Sequence, residues 1–225
     1  ERDSLPPPVY TVCPIHVRRR QRQSLESKMK FYLSFSHAPS YIAVLEKLAS
    51  SFPKEEKLGE KHDLIPFVLT CAAALECVLN DSIIEQTSYI FGRENYRRFA
   101  DALMAIPLRG KLEYIVPLAS NNEYLIRQES ITYQRLVSLI TLRNKLTHNK
   151  SFPYGLETEE PENILKMKIP RELAEQLEPN IDPDYCESLL QALKNLVRVL
   201  DVRTHIINGQ EEWQESETIV KNNNV

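Results

Sequence analysis

Three polar residues near the end of one apolar stretch have the types and spacing needed for acid–base and phosphate chemistry. Arg143, Asn144 and His148 lie within a span of six residues. A guanidinium stays charged at any working pH, whereas an imidazole changes its charge near neutrality. On an ideal helix Arg143 and His148 are about 140° apart around the axis and about 7.5 Å apart along it, so they can flank one phosphodiester. Asn144 and His148 are four residues apart and can touch.

A helix predicted from about residue 129 to about residue 150 must position these side chains. The upstream positions on the same helical rows are apolar: Leu136, Val137, Leu139 and Ile140. Arg143, Asn144 and His148 continue those rows, because residues three or four apart share a helix face. Polar side chains on a core-facing surface must find hydrogen-bond partners or line a cleft or an interface. A buried hydrogen-bond network without a substrate is the alternative interpretation of the same three residues.

The segment Leu142–His148 (LRNKLTH) resembles the R-N-x-x-x-H form of the R-x(4–6)-H motif of the HEPN superfamily, the "higher eukaryotes and prokaryotes nucleotide-binding" domains. Two other segments resemble family features more loosely. Residues 74–80 (ALECVLN) are similar to an "LE…N" helix of bacterial HEPN-like proteins, and residues 109–113 (RGKLE) are similar to a lysine-containing segment between the two. The resemblance covers about residues 64–150.

The resemblance implies an all-α, up-and-down helical bundle of the HEPN type that forms a homodimer, with the two motif helices facing each other across a cleft. It also implies a metal-independent endoribonuclease without a cofactor, in which the 2′-OH of RNA attacks the adjacent phosphate. His148 would then be the general acid and base, and Arg143 would bind the phosphate and stabilise the transition state. Asn144 would orient His148 or bind a phosphate oxygen.

Further residues are assigned supporting roles around this motif. Glu76 and Asn80 are a polar pair four residues apart on a long apolar helix. They either position Arg143 or His148, or form a bond that ties helix to helix. RNA binding is assigned to three lysines near the motif, namely Lys111, Lys145 and Lys150.

The resemblance leaves two classes of function open. One is an endoribonuclease, in a toxin or defence role, that is regulated by an antitoxin or another partner. The other is a non-catalytic HEPN-like module that dimerises or binds RNA or a nucleotide without cutting it.

Composition excludes several other classes. The chain of 225 residues has only 5 Gly, and neither G-x-G-x-x-G nor G-x-x-x-x-G-K-[ST] occurs, which argues against all-β folds and against Rossmann and P-loop enzymes. The net charge of −3 gives no general affinity for nucleic acid, although basic residues outnumber acidic ones between Arg93 and Lys150. The 4 Cys form no C-x-x-C pair and predict no zinc site. The longest apolar run, 64–75, is too short for a membrane span, so a cytoplasmic protein is expected.

The chain is expected to have three parts. Residues 1–23, with a Pro triplet and a basic run, predict an extended N-terminal arm. Residues 24–208 predict the helical domain, whose motif-bearing core is 63–150, with extra helices before and after it. Residues 209–225 predict a flexible tail, so both termini are expected to be mobile. Within the domain, Gly92 should end the long core helix, Pro117 should break a short one, residues 120–128 should be a polar connection, and Asp182 or Asp184 should cap the last helix.

Overall fold

A computed structural model of the chain describes residues 36–52, 64–92, 94–147, 181–201, 206–207, 210–211 and 213–223. The six helices in this part of the chain are α1 Ala38–Ser51, α2 Leu64–Phe91, α3 Tyr96–Met104, α4 Leu108–Ala119, α5 Ile131–Thr147 and α6 Pro183–Leu200. The short strands are β1 Tyr124–Ile126, β2 Ile206–Ile207, β3 Gln210–Glu211 and β4 Ile219–Lys221. The predicted arm at 1–23 and the parts of the predicted helical domain at 24–35 and 148–180 lie outside the described residues.

The long apolar helix α2 is the centre of the fold and contacts each of the other five described helices. Its fully buried side chains are spread over a broad part of its circumference and include Phe67, Cys71, Leu75 and Leu79. A helix that is apolar over most of its surface is stable only when neighbours cover it. The packing of α1, α3, α4, α5 and α6 around α2 meets that requirement.

By length and composition alone, α2 is also a candidate membrane span. The sequence analysis did not anticipate this, because it judged the apolar run 64–75 too short to cross a membrane. Half of its most apolar 18-residue window is buried inside the fold. The core helix of a globular domain meets the same criteria of length and composition. The membrane assignment therefore has only weak support.

The ends of the helices follow local sequence signals. Gly92 has φ +74° directly after α2, a conformation that glycine adopts without a steric penalty, as predicted for the end of this helix. The Ser130 hydroxyl accepts a 3.1 Å hydrogen bond from the N–H of Tyr133 and so caps α5. Asp182 accepts one of 2.7 Å from Tyr185, which settles the cap of α6 in favour of Asp182. The prediction that Pro117 breaks a short helix is wrong, because α4 continues through Pro117 to Ala119. A proline lacks only its own N–H, and only two helical residues follow it here.

The C-terminal segment differs from the sequence prediction. Tyr124–Ile126 and Ile219–Lys221 pair as antiparallel strands, with Leu125 opposite Val220. The side chain of Ile219 is 1% exposed, and the Tyr124 hydroxyl donates a 2.7 Å hydrogen bond to the carbonyl of Trp213. Residues 120–128 are therefore not only a polar connection, and residues 213–223 are not a flexible tail. Strands of three residues that pair across almost one hundred positions leave no local periodicity from which to predict them.

The described part of the chain is mostly helical, as the all-α prediction required. It also contains two small two-stranded sheets, β1 with β4 and β2 with β3. The helices around α2 provide the frame on which the candidate functional residues lie.

Candidate functional site

The helix α5 carries the predicted motif and is fixed to the core along its first three turns. It contacts α2, α4 and α6. Leu136 and Leu139 are fully buried, and Ile140 is 8% exposed. These contacts hold the backbone of α5 in place, so the direction of its C-terminal end is set by the core.

The apolar rows of α5 reach the surface at the motif. Leu142 is still buried, at 7% exposed. Arg143 is half-buried, whereas Asn144 and Lys145 are exposed. The sequence predicts that Arg143 and Asn144 lie on a core-facing surface. Their side chains must then either form hydrogen bonds inside the protein or line a cleft or an interface. The structure leaves both side chains accessible to solvent at the end of a buried helix.

Arg143 and Asn144 are joined directly. The Arg143 guanidinium donates a 3.1 Å hydrogen bond from Nη1 to Asn144 Oδ1. One turn further on, the Thr147 hydroxyl donates a 2.8 Å hydrogen bond to the carbonyl of Arg143. A guanidinium has five N–H donors, and the bond to Asn144 uses one of them. The guanidinium therefore contacts Asn144 and still has donors to offer to an anion.

His148 and Lys150 lie outside the described residues, and His148 directly follows Thr147, the last described residue of α5. The structure thus shows two of the three predicted catalytic residues, Arg143 and Asn144. It brings these two together at the surface.

Glu76, Asn80 and Lys111 form a separate polar cluster between α2 and α4. Lys111 Nζ donates a 2.8 Å hydrogen bond to Asn80 Oδ1 and lies 4.0 Å from Glu76 Oε1. The Lys111 side chain is only 4% exposed, whereas that of Glu76 is 46% exposed. These contacts tie α2 to α4, as one of the two interpretations of Glu76 and Asn80 predicts.

Of the lysines predicted to bind RNA, the structure buries Lys111 and exposes Lys145. Lys111 is buried, and its ammonium is engaged with Asn80, so in this conformation it is not offered to a ligand. Lys145 is exposed on α5, two residues from Arg143. Within the described residues no hydrogen bond or ion pair joins Glu76 or Asn80 to Arg143.

A second polar cluster, which the sequence prediction missed, links α4 to the beginning of α5. Glu113 Oε1 accepts a 2.7 Å hydrogen bond from the Tyr133 hydroxyl and one of 3.0 Å from Arg109 Nε. These bonds, with that from Tyr133 the larger cause, lower the pKa of Glu113 below its ordinary value. Burial, together with the bond to Glu113, raises the pKa of Tyr133. The four-residue spacing of Arg109 and Glu113 was the available signal.

Among the residues that the structure describes, the cysteine thiols are not assembled into a reactive site. Burial raises the pKa of the Cys71 and Cys186 thiols to about 12, so both are inert core residues. Cys77 Sγ lies 3.6 Å from Asp81 Oδ2, and burial and that carboxylate raise its pKa to about 11. Among the described residues, no group of three or more His, Cys, Asp or Glu side chains is placed to hold a metal ion.

Comparison with protein-family models, with curated protein sequences and with solved structures gives no match to this chain. The resemblance to HEPN domains therefore rests on the residues of its motif.

Proposed function

We propose that the chain is a metal-independent endoribonuclease of the HEPN type, with Arg143, Asn144 and His148 as its reactive residues. RNA is the substrate, and the reactive groups lie in a cleft between two copies of the chain. A role as a toxin or defence effector under the control of a partner is part of the same proposal.

The observation that carries the proposal is the Arg143–Asn144 pair at the accessible end of α5. The guanidinium is half-buried and bonded to Asn144 at 3.1 Å. A cation held in one orientation binds a phosphate better than a freely rotating one, because less side-chain entropy is lost on binding. Arginine also offers paired N–H groups that match two phosphate oxygens.

The reaction follows from these roles. The 2′-oxygen of one ribose attacks the adjacent phosphorus, the P–O bond to the 5′-oxygen of the next nucleotide breaks, and a 2′,3′-cyclic phosphate and a 5′-hydroxyl are formed. His148 takes the proton of the 2′-hydroxyl as general base and gives it to the leaving 5′-oxygen as general acid. Arg143 stabilises the charge that develops on the non-bridging oxygens. None of these roles requires a metal ion.

A cleavage assay in the presence of EDTA tests the proposal. The substrate is a labelled single-stranded RNA, and its products are analysed for 2′,3′-cyclic phosphate ends. We expect the wild-type chain to cut it and Arg143→Ala to be slower by about 100-fold or more. His148→Ala should be at least as impaired. Replacing the 2′-hydroxyl at the cut position with hydrogen should abolish cleavage there.

Matched controls separate loss of chemistry from loss of fold. His37→Ala removes an exposed imidazole, and Lys47→Ala removes an exposed cation, both from the region of α1. Both variants should cleave as the wild type does. Absence of cleavage by the wild-type chain, or equal rates for all four variants, overturns the proposal.

The second candidate is a non-catalytic HEPN-like module that dimerises or binds RNA or a nucleotide. It rests on the same Arg143–Asn144 pair, because this pair can hold a phosphate without any proton transfer. Under this alternative the chain binds RNA without cutting it, and Arg143→Ala weakens binding only.

A further inference from the structure

The helix α3 presents an exposed face with an unusual combination of side chains. Asn95, Arg98, Phe99 and Ala102 are all exposed, and they are called the α3 face below. Asn95, the residue before α3, is three positions before Arg98 and four before Phe99. Ala102 is four positions after Arg98 and three after Phe99. These spacings place the four residues on one side of the helix. The opposite side is anchored by Ala100, which is 1% exposed.

An aromatic ring on this face is held in place from behind. The rings of Phe91 and Phe99 are parallel, with centroids 3.7 Å apart and an interplanar angle of 9°. Phe99 nevertheless remains 42% exposed, and Phe91 remains 37% exposed. The stack restrains the Phe99 ring, so a planar ligand that binds against it meets a surface that is already ordered.

Polar groups with unused hydrogen-bonding capacity lie beside this ring. Neither Arg98 nor Asn95 has a side-chain hydrogen bond or ion pair within the described residues, and Asn95 makes no capping bond to α3. The face thus offers a ring, a cation and an amide within one helical turn.

We propose that the α3 face is a binding site for an unpaired base of single-stranded RNA. The base stacks on Phe99, a neighbouring phosphate contacts the Arg98 guanidinium, and the Asn95 amide bonds to the edge of the base. Stacking on aromatic side chains next to a cation is the general chemistry of single-strand binding. The choice of RNA rests on the proposed function, and the site would hold substrate away from the reactive residues.

Charge favours this ligand over a membrane surface. Asp101 is three residues from Arg98, so the face has little net positive charge, whereas a membrane-binding segment uses a cluster of cations. A single base needs one ring and a few polar atoms.

Fluorescence anisotropy with a labelled 12-nucleotide RNA that is 2′-O-methylated at every position tests the site. This RNA cannot be cut, so binding is measured independently of cleavage. We expect Phe99→Leu, which keeps an apolar contact with Phe91, to weaken binding about fivefold or more. Arg98→Gln should make the dependence of log K on log salt shallower by about 0.7. Asp101→Asn should strengthen binding by about twofold.

Two variants elsewhere on the surface serve as matched controls. Tyr114→Leu removes an exposed ring from α4, and Lys47→Gln removes an exposed charge from α1. Both should bind as the wild type does. If Phe99→Leu and Arg98→Gln also bind as the wild type does, the proposal is wrong. Circular dichroism of each variant confirms that the helices are intact, and Asp101→Asn, at an exposed position, tests the site without disturbing the core.

Further outcomes distinguish this inference from the proposed function. Binding of the uncuttable RNA through Phe99 by a chain that does not cleave ordinary RNA supports the α3 face and overturns the nuclease. If the Phe99 and Arg98 variants cleave ordinary RNA normally and bind the uncuttable RNA as the wild type does, the nuclease is supported and the α3 face proposal is wrong. Tighter binding to the matching single-stranded DNA overturns the assignment of the ligand as RNA. Two results would overturn the assignment to nucleic acid if Phe99→Leu leaves RNA binding unchanged. One is binding to anionic phospholipid vesicles that depends on Phe99, and the other is a change of oligomeric state in Phe99→Leu.

Discussion

Lys111 donates a 2.8 Å hydrogen bond from a nearly buried ammonium on α4 to Asn80 Oδ1 on the central helix α2. A buried cation is costly unless polar groups surround it, and here the amide oxygen and the more distant Glu76 carboxylate do so. This cluster is therefore a structural element, and its disruption should affect stability first.

Asn80→Leu should lower the free energy of unfolding by about 1–3 kcal/mol, because it leaves the Lys111 ammonium without its hydrogen-bond acceptor. Lys111→Met should lower it by less, and the double variant should be less destabilised than the sum of the two. Urea denaturation followed by circular dichroism measures all three. Strictly additive effects would show that the two side chains are not coupled.

The bond from Tyr133 to Glu113 predicts a pH-dependent contribution to stability. It lowers the pKa of Glu113 in the folded state, so the stabilisation is present above the ordinary pKa of a carboxyl group and is lost as the pH falls through the folded-state value. Tyr133→Phe should destabilise the chain by about 1 kcal/mol at pH 7, and the difference should shrink below about pH 4. Chemical denaturation at a series of pH values measures this.

Tyr114→Phe is the matched control for that experiment, because Tyr114 is an exposed tyrosine on α4 without a described hydrogen bond. It should have no effect at any pH in the series. A constant difference between Tyr133→Phe and the wild type from pH 3 to pH 7 would contradict the assigned cause.

Glu217 connects the C-terminal segment to the beginning of α5. Its carboxylate accepts hydrogen bonds from the N–H of Ile131 at 2.9 Å and from the Thr132 hydroxyl at 3.1 Å. A carboxylate at this end of a helix satisfies free N–H groups and interacts favourably with the helix dipole. Glu217→Ala should therefore lower the free energy of unfolding by about 1 kcal/mol.

Thermal unfolding monitored at 222 nm tests the role of Glu217. Glu187→Ala, which removes an exposed carboxylate from α6, is the control and should leave the melting temperature unchanged. Equal melting temperatures for all three proteins would mean that the contact of Glu217 with α5 contributes nothing in solution.

Arg143→Lys separates charge from geometry in the proposed reaction. The variant keeps a positive charge but loses the planar fork and its bond to Asn144. Cleavage should fall by about tenfold or more, while the free energy of unfolding changes by less than about 0.5 kcal/mol. Lys145→Arg is the control. It makes the reverse exchange, lysine to arginine, at an exposed position two residues away, and it should retain activity. Wild-type cleavage by Arg143→Lys would show that only charge is needed.

The helices were predictable because their signals are local. The three-to-four spacing of apolar residues in α2 and α5, the left-handed Gly92 and the Asp182 cap each determine structure within a few residues. Long-range contacts were not predictable. The pairing of Leu125 with Val220 joins segments with no shared pattern, and only three-dimensional proximity reveals it.

The sequence predicted which residues form the candidate site, but it did not predict how far neighbouring helices cover them. The helical rows predicted that Arg143 and Asn144 follow a buried stripe, which they do. Whether they would be enclosed or open depended on where the neighbouring helices end, and a helical wheel contains no such information. Likewise, nothing in the sequence around Lys111 distinguishes a lysine that faces solvent from one that is buried against Asn80.

The pairing of β1 with β4 and the Glu217 contact have a consequence for biosynthesis. During translation, α5 is complete about seventy residues before the carboxylate that caps it has been made, so the motif-bearing helix spends that interval without its final restraint. A chain interrupted ahead of residue 213 would contain every residue of the motif, yet it would lack the strand that closes this end of the fold. Assembly of the domain is therefore finished late, from the C-terminal side.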